Sequence, residues 1–165
     1  MQLHVQTASA PFDAGANRQH TARQRTAIQQ EVVRLLDDLA PASAPARRSA
    51  PAVTVKAYRW PNRCILQGAS RAISVSWFPG SADEHSLGEL LVISWRGTVS
   101  LPGLGHRGSD EAVAVTQLLL HLEPASFDGW EWRTAAHDVA GLGTSALADY
   151  CRGQVQPPDG STTEA

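Results

Sequence analysis

The segment RAISVSWFPG, residues 71–80, is followed after a polar stretch by GELLVISWRG, residues 88–97. Apolar residues occupy every second position in each run, and most of them are β-branched or aromatic, which is typical of a strand with one buried face. Pro79 and Gly80 suit the two central positions of a type II turn. Because only a loop of about ten residues joins the two runs, they predict an antiparallel pair.

Similar runs flank this pair on both sides. Residues 53–58 alternate ahead of it, and residues 64–66 form a short apolar run. Trp130 and Trp132 follow the hairpin signal Asp128-Gly129 with strand spacing. Since the connections are too short for crossover helices, we predict an antiparallel meander of about five strands.

Two helices complete a predicted α+β fold. Five apolar residues share one face of the first helix, with Pro41 ending it: Ile28, Val32, Leu35, Leu36 and Leu39. A short second helix begins at Thr144 or Ser145 and continues through Cys151. The predicted organisation is a flexible tail at 1–19, the amphipathic helix at 20–40, a Pro/Ala linker at 41–52, the sheet domain at 53–152 and a flexible tail at 153–165. The first helix covers the sheet of its own subunit or of a sister subunit.

Residues 110–122 fit two structures. Ala112, Val115, Leu119 and Leu122 have helical spacing, whereas residues 118–122 also alternate as in a strand. The β-branched residues Val113, Val115 and Thr116 favour the strand, but both interpretations stay open.

The segment LPGLGHRGSD, residues 101–110, contains the spacing G-x-G-x-x-G at Gly103, Gly105 and Gly108. A dinucleotide site needs a parallel strand before such glycines and a helix after them, whose N-terminal amides meet the pyrophosphate. Here the preceding strands are joined as hairpins, and the carboxylates of Asp110 and Glu111 would repel a phosphate. We therefore interpret the glycines as a flexible connector and predict no cofactor.

Other catalytic or metal-binding patterns are weak. The six histidines have no pair at metal-ligand spacing, and Ser70 lacks the second glycine of a nucleophile elbow. Cys64 and Cys151 lie in apolar surroundings, which favours small buried side chains over a disulfide or a nucleophile. We predict neither a catalytic residue nor a metal site.

Tryptophan is abundant, with five in 165 residues. We expect Trp77 and Trp95 in the core, and Trp60 together with one of Trp130 and Trp132 at partly exposed strand ends. The predicted binding surface joins these strand-end aromatics to two arginines of the linker: Trp60, Trp130, Trp132, Arg47 and Arg48.

Charge and composition bound the class of protein. Hydrophobic residues make up 42% and charged residues 18% of the chain, as in a globular domain. The excess of arginine over lysine is typical of a GC-rich bacterial genome. The start of the chain lacks the features of a secretory signal, and no apolar run reaches 18 residues, so we expect the cytoplasm. Residues 1–63 carry a formal charge of +5 and the remainder −7.

The leading functional hypothesis is a non-enzymatic protein-binding or accessory module of the bacterial cytoplasm, with a second copy of the chain as one candidate partner. A second hypothesis is a small-molecule-binding or hydrolytic enzyme with a pocket between sheet and helix, using Asp83, His85, His106 and His137. A third is a nucleic-acid accessory protein that uses the basic arm, with these arginines: Arg18, Arg23, Arg25, Arg47 and Arg48.

Overall fold

A computed structural model of the chain describes residues 14–40, 55–80, 87–99, 112–125, 129–136 and 140–156. The elements in chain order are α1 (Ala14–Leu39), β1 (Lys56–Trp60), β2 (Arg63–Gln67), β3 (Arg71–Pro79), β4 (Gly88–Arg96), β5 (Val113–Ala125), β6 (Gly129–Thr134) and α2 (Thr144–Val155). The six strands form one sheet in the order β1-β2-β3-β4-β5-β6, and each neighbouring pair is antiparallel. The predicted α+β meander is confirmed, with six strands rather than about five.

The additional strand comes from residues 113–122, which form most of β5. Val92 pairs with Leu118, and Leu90 pairs with Leu120, so the leucines of β5 extend the apolar rows of β4. A register shift beside Ser94 and Trp95 bends the pair locally. Cross-strand packing of this kind favours the strand over the helix that the same leucines also permit.

Both helices extend beyond the ranges that the apolar pattern predicts. Helix α1 begins at Ala14, within the predicted tail at 1–19, and α2 ends at Val155 rather than before residue 153. The first residues of α1 have no apolar stripe, and their alanines instead have high intrinsic helix propensity. The predicted linker at 41–52 lies outside the described residues.

The core lies between the two helices and one face of the sheet, which we call the covered face. Cys64, Val75 and Val92 are register neighbours on this face, and all three are buried. Helix α1 contributes the buried residues of its predicted stripe: Ile28, Val32, Leu35, Leu36 and Leu39. Helix α2 contributes Leu147, Ala148, Cys151 and Val155. The amphipathic pattern of α1 thus predicts correctly which of its side chains are buried.

Polar contacts hold α1 against its own sheet and against α2. Arg59 forms an ion pair with Asp37 at 3.2 Å, and Arg152 donates a hydrogen bond to the main-chain oxygen of Asp38 at 2.6 Å. The Thr144 hydroxyl donates to Glu31 at 2.6 Å. In this structure α1 therefore covers the sheet of the same chain. Neither described helix has the length and apolar content needed to cross a membrane.

Trp77 and Trp132 contact each other on the covered face although their strands, β3 and β6, are not neighbours. The rings meet edge to face, with centroids 6.3 Å apart and planes at 80°. Three strand spacings separate the backbones by about 14 Å, so both rings lean toward each other across the covered face.

Trp95 does not share this core, contrary to the expectation from sequence. Trp77 pairs with Leu90, whereas Trp95 pairs with Ala72, and positions 72 and 77 lie on opposite faces of β3. Trp95 is therefore on the face away from the helices, where its indole N–H donates to the Ser74 hydroxyl at 2.9 Å. Alternation within a strand separates its two faces but does not say which of them meets the core.

Candidate protein-binding surface

The face of the sheet opposite the two helices, which we call the open face, carries Ile65, Ser74 and Ile93 in register. Strand β4 is apolar on both sides, because Leu90 and Val92 are buried in the core while Leu91 and Ile93 belong to the open face. Continuous apolar runs are typical of strands covered on both faces, whereas a strand with one solvated face alternates. The sequence of β4 is therefore typical of a strand that is covered on both faces.

Five side chains form an apolar patch on the open face: Trp60, Phe78, Leu91, Ile93 and Leu119. Phe78 is 52% exposed, and Trp60 and Leu119 are each 40% exposed. Leu91 and Ile93 are half-buried between them. Leu91 pairs directly with Leu119, and Phe78 is its diagonal neighbour through the pairing with Glu89. Phe78, Leu91, Ile93 and Leu119 thus form the continuous apolar centre of the patch, and Trp60 lies at its flank.

One corner of the open face is already covered within the chain. After β4, the Gly97 N–H donates to the main-chain oxygen of Ser70 at 2.8 Å, and the Val99 N–H donates to the side-chain oxygen of Gln67 at 3.0 Å. Ile65 and Ala72 near this corner are buried although they do not belong to the core between sheet and helices. The apolar patch occupies the part of the open face away from this corner.

Charges on the open face are separated by sign. Strands β1 and β2 present Lys56 and Arg63, and the Arg63 guanidinium lies 5.9 Å from the ring centroid of Trp60, within cation–π range. Strands β4 to β6 present Glu89, Glu123 and Glu131, and Glu131 is paired at 2.7 Å with Arg133. The apolar patch thus lies between a basic side and an acidic side.

The structure separates the residues of the predicted binding surface. Trp60 lies exposed at the end of β1, whereas Trp130 is half-buried and packs against the core. Trp132 is only 1% exposed, and its indole N–H donates to Thr144 at 3.2 Å, so it is a core residue and not part of a surface. The physical reason is the register, because Trp132 pairs with the buried Leu122 on the covered face. Arg47 and Arg48 lie outside the described residues.

Sequence reasoning missed the centre of the patch, formed by Phe78, Leu91, Ile93 and Leu119. The signal was present in two places, residues 90–93 and 118–120, where consecutive apolar residues occupy both faces of one strand. An alternating pattern identifies the residues of the buried face, but it does not draw attention to apolar residues on the opposite face. The apolar residues on that opposite face are the ones that the structure leaves partly exposed.

A cleft beside the helices has polar lining residues that already bind one another. It has a volume of about 430 Å³ and lies at the beginning of α2 between α1 and the β5–β6 hairpin, and Glu31, Arg34, Trp130 and Thr144 are among its lining residues. Glu31 accepts the Thr144 hydroxyl, and Thr144 in turn accepts the Trp132 indole N–H. Because these polar atoms already bind one another, the cleft offers a ligand few unsatisfied partners.

The two cysteines are buried thiols. Burial raises the pKa of Cys64 from its ordinary value of 9.0 to about 11, although nearby Arg59 lowers it. Burial and the neighbouring Cys64 raise the pKa of Cys151 to about 12. Since the thiolate is the nucleophile, thiols with raised pKa values in a packed core are unreactive at neutral pH.

This burial predicts a loss of stability at alkaline pH. Between pH 9 and pH 11 the folded chain holds thiol protons that the unfolded chain releases, so the free energy of unfolding falls as pH rises, by up to ~1.4 kcal/mol per pH unit for each thiol. Urea unfolding at pH 8, 9, 10 and 11 measures this slope. The Cys64→Ala/Cys151→Ala variant is expected to lose part of the slope, and equal slopes for variant and parent would contradict the assignment.

The residues of the other sequence-based hypotheses are mostly outside the described chain. Those are Gly103, Gly105, Gly108, Asp83, His85, His106 and His137. The segment after the glycines leads into strand β5, antiparallel to β4, rather than into the helix that a dinucleotide motif requires. Within the described ranges no cluster of three potential metal ligands occurs. Arg23 is exposed on α1 and Arg25 is half-buried, while the side chain of Arg18 is not described. The enzymatic and nucleic-acid hypotheses stay predictions.

No protein-family model, curated protein or solved structure matches this chain.

Proposed function

We propose that this chain is a non-enzymatic protein-binding module of the bacterial cytoplasm and that the open face of its sheet is the binding surface. The observation that carries the proposal is the apolar patch beside the two-sided apolar sequence of β4. A monomeric protein with one covered face normally places polar residues on the other face. Exposed Phe78 and Leu119 therefore indicate a surface that a partner covers.

The form of the patch favours a protein over a small molecule. Small-molecule sites are concave and bury most of the ligand, whereas the open face is the outer surface of a sheet whose two helices lie on the other side. Aromatic residues and arginine are enriched where proteins bind one another, and Trp60 with Arg63 supplies such a pair at the flank. Polar residues and charges surround the patch, as in the rim of a protein interface.

Photo-cross-linking in the native host tests this proposal. A photoreactive phenylalanine analogue replaces Phe78 on the open face in one sample and Gln29, which is exposed on α1, in the other. We expect position 78 to give a protein adduct of defined mass, identified by mass spectrometry, which adding Leu119→Asp abolishes. Position 29 serves as the matched control because it lies on the other side of the molecule.

Two results would contradict the proposal. One is an identical adduct pattern from positions 78 and 29. The other is an adduct at position 78 that persists with Leu119→Asp, because Leu119 lies within the same patch. Circular dichroism of each purified variant first establishes that it is folded.

A further inference from the structure

We infer that the partner that covers the open face is a second copy of this chain, in an isologous dimer formed by stacking the two sheets. This inference depends on the proposed function, because it takes the apolar patch to be an interface. It adds the identity of the partner, which it derives from how charge is arranged around the patch.

The charge on the open face changes sign from one edge of the sheet to the other. Strands β1 and β2 present two basic side chains, Lys56 and Arg63, and no acidic one. Strand β3 presents no charged residue: its open-face side chains are Ala72, Ser74, Ser76 and Phe78. Strands β4 to β6 present three glutamates against one arginine. The face is therefore basic at one side, uncharged near its centre and acidic at the other side.

A two-fold axis makes such a face complementary to itself. In the pairing register Glu123 and Glu131 lie four residues further along the strands than Arg63. An axis midway between the two stacked sheets and inclined by about 45° to the strands therefore places the basic side of each copy against the acidic side of its partner, and both contacts are equivalent by symmetry. Phe78 and Leu91 lie near this axis, so each meets the same residue of the other copy at the centre.

The size of the face suits a stable dimer. Six strands at a spacing of about 4.8 Å, with nine residues in each of β3 and β4, give an area of roughly 700 Å². A standard interface buries about 800 Å² on each partner. With the axis inclined by about 45°, the strands of the two copies cross at about 90°, which is the orthogonal class of sheet packing.

Light scattering and sedimentation velocity of the full-length protein between 1 and 100 µM test the inference. We expect a mass of twice the 17.7 kDa of one chain at the upper concentrations. Phe78→Asp and Leu119→Asp are each expected to weaken dimerisation more than about 100-fold, because an unpaired carboxylate is costly to bury. Val33→Asp is the matched control, since Val33 is 39% exposed on α1 and away from the open face.

A charge exchange tests the arrangement of the two copies. Arg63→Glu is expected to weaken the dimer about 10-fold at low salt by opposing acidic side chains, and Arg63→Glu/Glu89→Arg is expected to recover most of that loss. A monomer at 100 µM, or a dimer unaffected by Phe78→Asp and Leu119→Asp, overturns the inference. If the protein is a monomer and position 78 cross-links to another identified protein, the inference that the partner is a second copy is wrong, but the proposed function stands. If it is a monomer and gives no specific adduct, both are wrong.

Discussion

Replacing Trp132 with alanine is expected to lower the free energy of unfolding by about 3–5 kcal/mol, the usual cost of removing a buried tryptophan. The side chain is 1% exposed and meets Trp77 edge to face at 6.3 Å. It also donates its indole N–H to Thr144, which donates to Glu31 of α1. The substitution therefore opens a cavity and removes a link between β6, α2 and α1. Urea unfolding at neutral pH measures the loss.

Two further substitutions separate the contributions to that loss. Trp132→Phe keeps an aromatic ring but removes the N–H donor, so we expect a smaller loss of about 1–2 kcal/mol. Trp60→Ala removes the same side chain from a position that is 40% exposed, and we expect less than about 1 kcal/mol. Measurement at 1 µM limits any contribution of self-association. Equal losses for Trp132→Ala and Trp60→Ala would contradict the placement of Trp132 in the core.

Much of the fold follows from patterns along the chain. The five apolar residues at helical spacing in α1 are all buried, because a helix buries one stripe wherever it packs. The alternating residues of β3 and β4 form the predicted antiparallel pair, since their short connection permits little else. In both cases the decisive information is local, which is why it can be read from sequence.

The placement of side chains on particular faces depends on register, which is not local. Trp77 and Trp95 have similar alternation in their own strands, yet β3 and β4 pair so that the two rings lie on opposite faces. Trp130 and Trp132 share one face of β6, but only the second is fully buried, because it packs on Trp77 whereas Trp130 lies next to the hairpin end of the sheet. The three tryptophans of the predicted binding surface therefore include both core and surface residues.

A run of consecutive apolar residues, rather than the tryptophans, indicates the candidate surface in the sequence. Leu90, Leu91, Val92 and Ile93 are consecutive, so one half of them must leave the covered face of the strand. A partner that buries Leu91 and Ile93 reconciles this run with a sheet whose two described helices lie on the opposite side. The proposed function thus follows from two facts that conflict: β4 is apolar on both faces, whereas the two described helices cover only one of them.

Changing Leu36 to aspartate is expected to remove most of the stability of the fold. Leu36 is fully buried where α1 packs against the remainder of the core, so its replacement places a carboxylate in an apolar cluster away from water. Such burial costs several kcal/mol, a large share of the 5–15 kcal/mol that stabilises an ordinary domain, and we expect a loss of more than about 4 kcal/mol. Val33→Asp, three residues earlier on the same helix and 39% exposed, controls for helix propensity and charge, and we expect it to cost less than about 1 kcal/mol. Thermal and urea unfolding of both variants measure the difference. Similar stabilities would mean that α1 does not belong to the cooperative core, and the sheet would then need another cover on the face where α1 now packs.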